Sequence, residues 1–194
     1  MLSKKILVTW NQQAYPINAT NWRAYSTKDI SVTFENGIAT LLWLTNNGGS
    51  VGSLWGTSDA QRYHPVIGEK WYGGYMLNPS FGTGRWSIEI CNAINPFRLS
   101  ADANVWSRIG VITNAASQQA KGYHMFIPSL RNIDAYPIGK TCMVKCPVLV
   151  NLTQMYGAGN EPTVDEFERQ CSINGIDLTN PLPYNSGESR IWNL

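Results

Sequence analysis

Asn151-Leu152-Thr153-Gln154-Met155-Tyr156-Gly157-Ala158-Gly159-Asn160-Glu161-Pro162-Thr163 joins a long apolar run to a short helical one. Gly157 and Gly159 admit backbone angles that other residues resist, so a strand can stop and turn there. Pro162 disfavours helix at the residue before it and suits the start of one after it. Thr163 and Glu166 form a T-x-x-E capping box, each side chain meeting a free backbone N–H at a helix start. Val164, Phe167 and Cys171 then recur at helical spacing, which predicts one short helix near 164–171.

Upstream, strands alternate with loops, and 11–28 reads as a long aromatic and polar loop with short extended pieces. Ile30, Val32 and Phe34 alternate with polar residues, Asn36-Gly37 is a two-residue hairpin turn, and Ile38 to Leu44 is the return strand, apolar on both faces. From residue 66 strands recur at sandwich-like spacing: 70–77, 85–92, 105–113, 123–128 and the longest, 140–152. In that last run Cys142, Val144, Cys146, Val148 and Val150 are expected on one core-facing side. Pro147 cannot donate to a ladder, which requires a free edge or a bulge. Asn46 to Gly56 reads as a glycine-rich surface loop carrying Trp55; it lacks the lysine and following helix of a phosphate-binding loop.

The run NLTQMYGAGNEPT with Glu166-Phe167 resembles a strand-to-helix segment found in many tailed-phage and prophage virion proteins. There it closes a jelly-roll β-sandwich of the carbohydrate-binding-module type. Glu69-Lys70-Trp71-Tyr72, Val105-Trp106-Ser107-Arg108-Ile109 and Pro181-Leu182-Pro183-Tyr184-Asn185-Ser186-Gly187 extend the resemblance in the same order, over roughly residues 66–187. It implies an all-β, antiparallel jelly-roll sandwich. It also implies a non-enzymatic virion protein (capsid decoration, fibre or tail component) that acts by contact with other virion proteins. The alternative is a lectin-like module binding host cell-wall or capsule glycan; a small glycan-degrading enzyme ranks third. The expected layout is one sandwich domain over 1–179 and an extended C-terminal segment over 180–194.

Composition limits the remaining classes. Net charge is +2 with no basic run, so nucleic acid and anionic membranes are not expected partners. No apolar run approaches the ~20 residues of a spanning helix. Met1 to Trp10 carries two lysines and then only a few apolar residues, without the apolar length or cleavage site of a signal peptide. It is expected to enter a first strand at Ile6–Thr9, in a protein made in the bacterial host cytoplasm and residing on the virion. Four cysteines fit a reducing compartment. Cys142 and Cys146, four apart on one strand, would have Cα atoms about 13 Å apart, and a disulfide needs less than ~7 Å.

Catalytic patterns are missing. Neither His64 nor His124 lies in a nucleophile motif. Glu89 is the one acid inside an apolar strand pattern, better explained as a polar outer-face position than as half of a glycosidase pair. No cofactor is expected, although a jelly roll can hold a structural Ca²⁺ through scattered oxygens that no spacing rule reveals. The surplus is aromatic: eight Trp and nine Tyr. Flat rings stack on sugar faces and also enrich protein interfaces. Trp22, Tyr25, Trp55 and Tyr63, read as loop residues, are the candidate ligand contacts. The apolar pair Ile191-Trp192 is the candidate interface of a homo-oligomer, with a trimer expected from how fibre-like phage proteins associate.

Overall fold

Ile30–Glu35 (β3) and Ile38–Trp43 (β4) form the hairpin that the sequence announces. Asn36 and Gly37 both take positive φ, 49° and 76°, as a primed two-residue turn demands. The computed structural model describes residues 5–9, 17–45, 53–56, 66–90, 93–94, 99–115, 126–130, 138–180 and 189–193. Tyr63, His64, Cys91 and His124 lie outside them.

These residues build an antiparallel jelly-roll β-sandwich. One sheet has the order β10-β6-β12-β4-β3, with β6 at Lys70–Pro79, β10 at Ser107–Asn114 and β12 at Thr141–Asn151. The facing sheet runs β2-β5-β11-β7-β8, with β9 also paired to β7. Its strands are β2 (Trp22–Ala24), β5 (Leu54–Gly56), β7 (Thr83–Ile90), β8 (Ala93–Ile94), β9 (Leu99–Ala101) and β11 (Phe126–Leu130). Between the sheets lies a core that includes Trp22, Leu41, Trp43, Trp71, Tyr75, Trp86, Ile88, Ile109, Ile127 and Val144.

A second apolar layer covers the opposite face of the five-stranded sheet. Tyr72 of β6 and Val148 and Val150 of β12 pack there against Phe167 and Cys171 of α2 (Val164–Ile173), with Ile176 and Leu178 beyond it. Strand alternation explains the split in β6: Trp71, Tyr75 and Leu77 enter the sandwich, while Tyr72 faces the helix. The capping box of α2 is present, with Thr163 accepting from the Glu166 N–H and the Glu166 carboxylate accepting from the Thr163 N–H.

Two expectations need correction. First, Cys142, Val144, Cys146, Val148 and Val150 do not share a face. Cys146 takes φ 51° and the pairing with β6 shifts register between Lys145 and Val148. This is the bulge that Pro147 requires, and one extra residue moves Val148 and Val150 to the helix side. Secondly, where one helix was expected the described residues form two: α1 (Leu152–Tyr156) lies between the strand and the glycine turn, and Asn151 caps it by accepting from the Gln154 N–H at 3.0 Å. Within the C-terminal segment, Ser189–Asn193 forms a strand, β13, paired antiparallel with β1 (Lys5–Thr9). Ile191 and Trp192 are in register with Leu7 and Ile6 of the same chain.

Candidate functional site

The motifs that carry the family resemblance turn out to bind one another. Glu161 accepts from the Thr153 hydroxyl at 2.7 Å, from the Gly159 N–H at 2.9 Å and from Lys70 Nζ at 3.2 Å. Thr153 Oγ1 in turn accepts from the Lys70 N–H at 2.8 Å. The Thr153 bond first, then those from the backbone and Lys70, hold the Glu161 carboxyl down at about 2. This loop is a clamp that ties α1 to the start of β6.

Arg108 does the same one layer over. Its guanidinium donates to Tyr72 Oη at 2.9 Å, to the Leu178 carbonyl at 3.2 Å and to the bulge carbonyl of Cys146 at 3.4 Å. Tyr72 Oη donates to Glu168 at 2.5 Å, and Glu168 lies 3.7 Å from Arg108 Nε. Room for this cluster comes from Gly74 and Gly110, where a Cβ would collide with Arg108 and with Glu168. Burial, with the Glu168 carboxylate adding to it, pushes the Tyr72 phenol far up. Burial alone would lower Arg108, yet the facing oxygens of Tyr72 and Glu168 outweigh it and raise the guanidinium. A cleft of 470 Å³ opens beside the cluster, lined also by Asp177 and Thr179. The Arg108 guanidinium nitrogens bond the Tyr72 hydroxyl and the Cys146 and Leu178 carbonyls, with Nε facing Glu168, so the cluster fastens residues 176–179 to the sheet.

The outer face of the six-stranded sheet offers different chemistry. Leu54 and Ile127 are paired neighbours and fully buried, and Ile88 and Ile90 point the same way. The intervening residues face outward by alternation. Arg23 is in register with Trp55, and the backbone register continues through residue 126 of β11 to Glu89 of β7. Glu89 therefore occupies the outer-face position expected of it.

At the β2 end of this row three side chains meet. The Arg23 guanidinium carbon lies 4.4 Å from the centre of the Trp55 ring, and Tyr25 meets Trp55 edge-on at 5.9 Å. Tyr25 is 49 % exposed and Trp55 half-buried, while its strand neighbour Leu54 is in the core. Tyr25 is fixed by its N–H, which donates to the Ser53 carbonyl at 2.9 Å and extends the β2–β5 pairing.

Two of the four candidate aromatics thus come together, Trp55 on strand β5 rather than in the expected loop and Tyr25 directly after β2. Trp22 does not join them. It is fully buried because alternation along β2 turns it inward, with Arg23 outward, so it packs the core and presents nothing to a ligand. Tyr63 lies outside the described residues. Arg23 was not singled out from the sequence; only the cross-strand register reveals it. Among the described residues no group of three His, Cys, Asp or Glu side chains could hold a metal ion.

No protein-family model and no curated protein matches this chain in sequence. Solved structures do match in shape. A CBM4 carbohydrate-binding module is 9% identical, covering 73% of this chain and 97% of its own, with a TM-score of 0.46. The N-terminal cellulose-binding domain of Cellulomonas fimi β-1,4-glucanase C is 12% identical over 74% of this chain and 97% of its own, also at 0.46. An arabinose-bound α-L-arabinofuranosidase, MgGH51, reaches a TM-score of 0.50 at 12% identity, over 88% of this chain and 30% of that one. At such identity the likeness concerns the fold alone, which is the β-sandwich described above.

Proposed function

We propose that this chain is a non-catalytic β-sandwich module that binds glycan on the outer face of its six-stranded sheet, in the service of a tailed-phage virion. The observation that carries the glycan part is the Arg23–Tyr25–Trp55 corner. It is an aromatic surface with polar groups beside it, on a sheet face that bears no helix among the described residues. The other sheet's outer face is closed by α2 and its apolar layer.

The virion part is supported by the sequence motifs alone. Glu69-Lys70, Arg108 and the GAGNEPT run are the residues that join strands, α1, α2 and the segment after α2 into one unit. A shared build is what their joint resemblance to virion proteins expresses. Each site stacks few rings, and an aromatic contact is worth on the order of 1 kcal/mol. A single site then binds between about millimolar and tens of micromolar. Attachment becomes useful through many copies, as in a homo-trimer or on a particle.

Glycan-array binding of wild type and Trp55→Ala, presented multivalently, tests this reading. Wild type binds a set of oligosaccharides and the variant loses them while keeping its fold. Equal binding by both proteins, or none by wild type, overturns it.

A further inference from the structure

One face of the Trp55 ring is occupied by a cation. Arg23 lies on that ring at 4.4 Å, and its side chain is exposed. Among the described residues it forms no ion pair with a carboxylate. Glu89 stands in the same cross-strand row but three strands away, roughly 14 Å at the usual strand spacing.

A guanidinium stacked on an indole keeps its five N–H donors at its edge, pointing away from the ring. The stack itself is worth about 0.5–1 kcal/mol at an exposed site. A neutral pyranose seeking that ring face has to displace Arg23. A carboxylate leaves the stack intact and takes two parallel N–H donors from the fork.

Resting on the glycan-binding reading above, we infer that the site selects acidic saccharides. Arg23 takes the carboxylate of a uronic-acid-type residue, and Tyr25 supplies an exposed ring for the adjoining sugar. Trp55 acts as a positioning residue that holds the guanidinium in place. The corner therefore reads charge first and sugar shape second.

The test uses matched pairs, oligogalacturonate and hyaluronan oligosaccharides against their carboxyl-reduced counterparts, titrated into wild type, Arg23→Gln and Arg23→Lys. Wild type is expected to bind the acidic member at least about tenfold tighter. Arg23→Gln brings the ratio near one, and Arg23→Lys falls between, since an ammonium keeps the charge and loses the fork. Added 0.5 M NaCl weakens only the acidic member, by screening. Equal or tighter binding of the reduced member overturns the inference while leaving the glycan reading standing; so does a ratio unchanged in Arg23→Gln. Failure of wild type to bind either member of every pair, on a chip that also carries neutral glycans it does bind, likewise overturns the inference alone. Failure on the whole chip overturns both.

Discussion

Lys70 and Glu161 meet at 3.2 Å across 91 residues of sequence, with Thr153 bonded to both. Two of the motifs that identify this chain's resemblance are therefore the two sides of one clamp. Its consequence is a pH dependence. The Glu161 carboxyl is held at about 2, below its ordinary range near 4.3. A lowered folded-state value means that the charged form stabilises the fold above the unfolded value, and that this stability is lost as pH falls toward about 2. Chemical denaturation between pH 5 and about 2 is expected to show wild type losing stability through that window. Glu161→Gln starts lower at neutral pH and has a flatter profile. A profile for the variant as steep as that of wild type contradicts the clamp.

Arg108→Met removes the donor to Tyr72, Leu178 and Cys146 at once and leaves Glu168 beside an apolar side chain. Breaking a buried charge pair from one side costs about 3–5 kcal/mol, and this part-buried one about 3 kcal/mol. At 2–4 °C per kcal/mol for a chain of this size, the melting temperature is expected to fall by roughly 10 °C. Glycan binding per folded molecule should stay the same, because the cluster lies on the five-stranded sheet and the proposed site on the other.

Cys142, Cys146 and Cys171 are free and buried. Burial raises Cys142 and Cys146, and lifts Cys171 to about 12. Thiolate is the reactive form, so native protein at pH 8 should react slowly at all three. Denatured without reductant, the chain should titrate four thiols; two would mean a disulfide and would revise the reducing-compartment expectation.

Truncation after Pro183 deletes β13 and leaves β1 without its pairing partner. If the homo-oligomer proposed above is held through Ile191 and Trp192, sedimentation of the truncated chain should show it dissociated while the dichroism of the sandwich persists. Unchanged assembly would place the subunit contact elsewhere and leave β13 a cover for β1 alone.

Local signals were legible wherever a feature depends on neighbours in sequence. The Asn36-Gly37 hairpin and the Thr163–Glu166 capping box both do, and both stand as read. The bulge was legible from Pro147, but its effect on phase was not. A single positive φ at Cys146 reassigns every later side chain of β12, and no period-two pattern reports it. Trp22 sits in a strand of three residues, too short to display a period. The pairing of β1 with β13 joins the two ends of the chain, and neither strand carries a mark of its partner. For the candidate site, aromatic surplus pointed to Tyr25 and Trp55. Arg23 was hidden because its role arises from facing Trp55 across two strands.

The central claim is that ligand meets the Arg23–Tyr25–Trp55 corner, and nuclear magnetic resonance can place it residue by residue. Isotope-labelled protein would be titrated with an oligosaccharide chosen from the array, following the Trp55 indole N–H and the backbone signals of β2 and β5. The account predicts that the Trp55 indole signal and those of Arg23 and Tyr25 move together and saturate, with Arg108, Glu168 and Asp177 unmoved. Saturable shifts at the Arg108 cleft, with the Trp55 signal fixed, would contradict it.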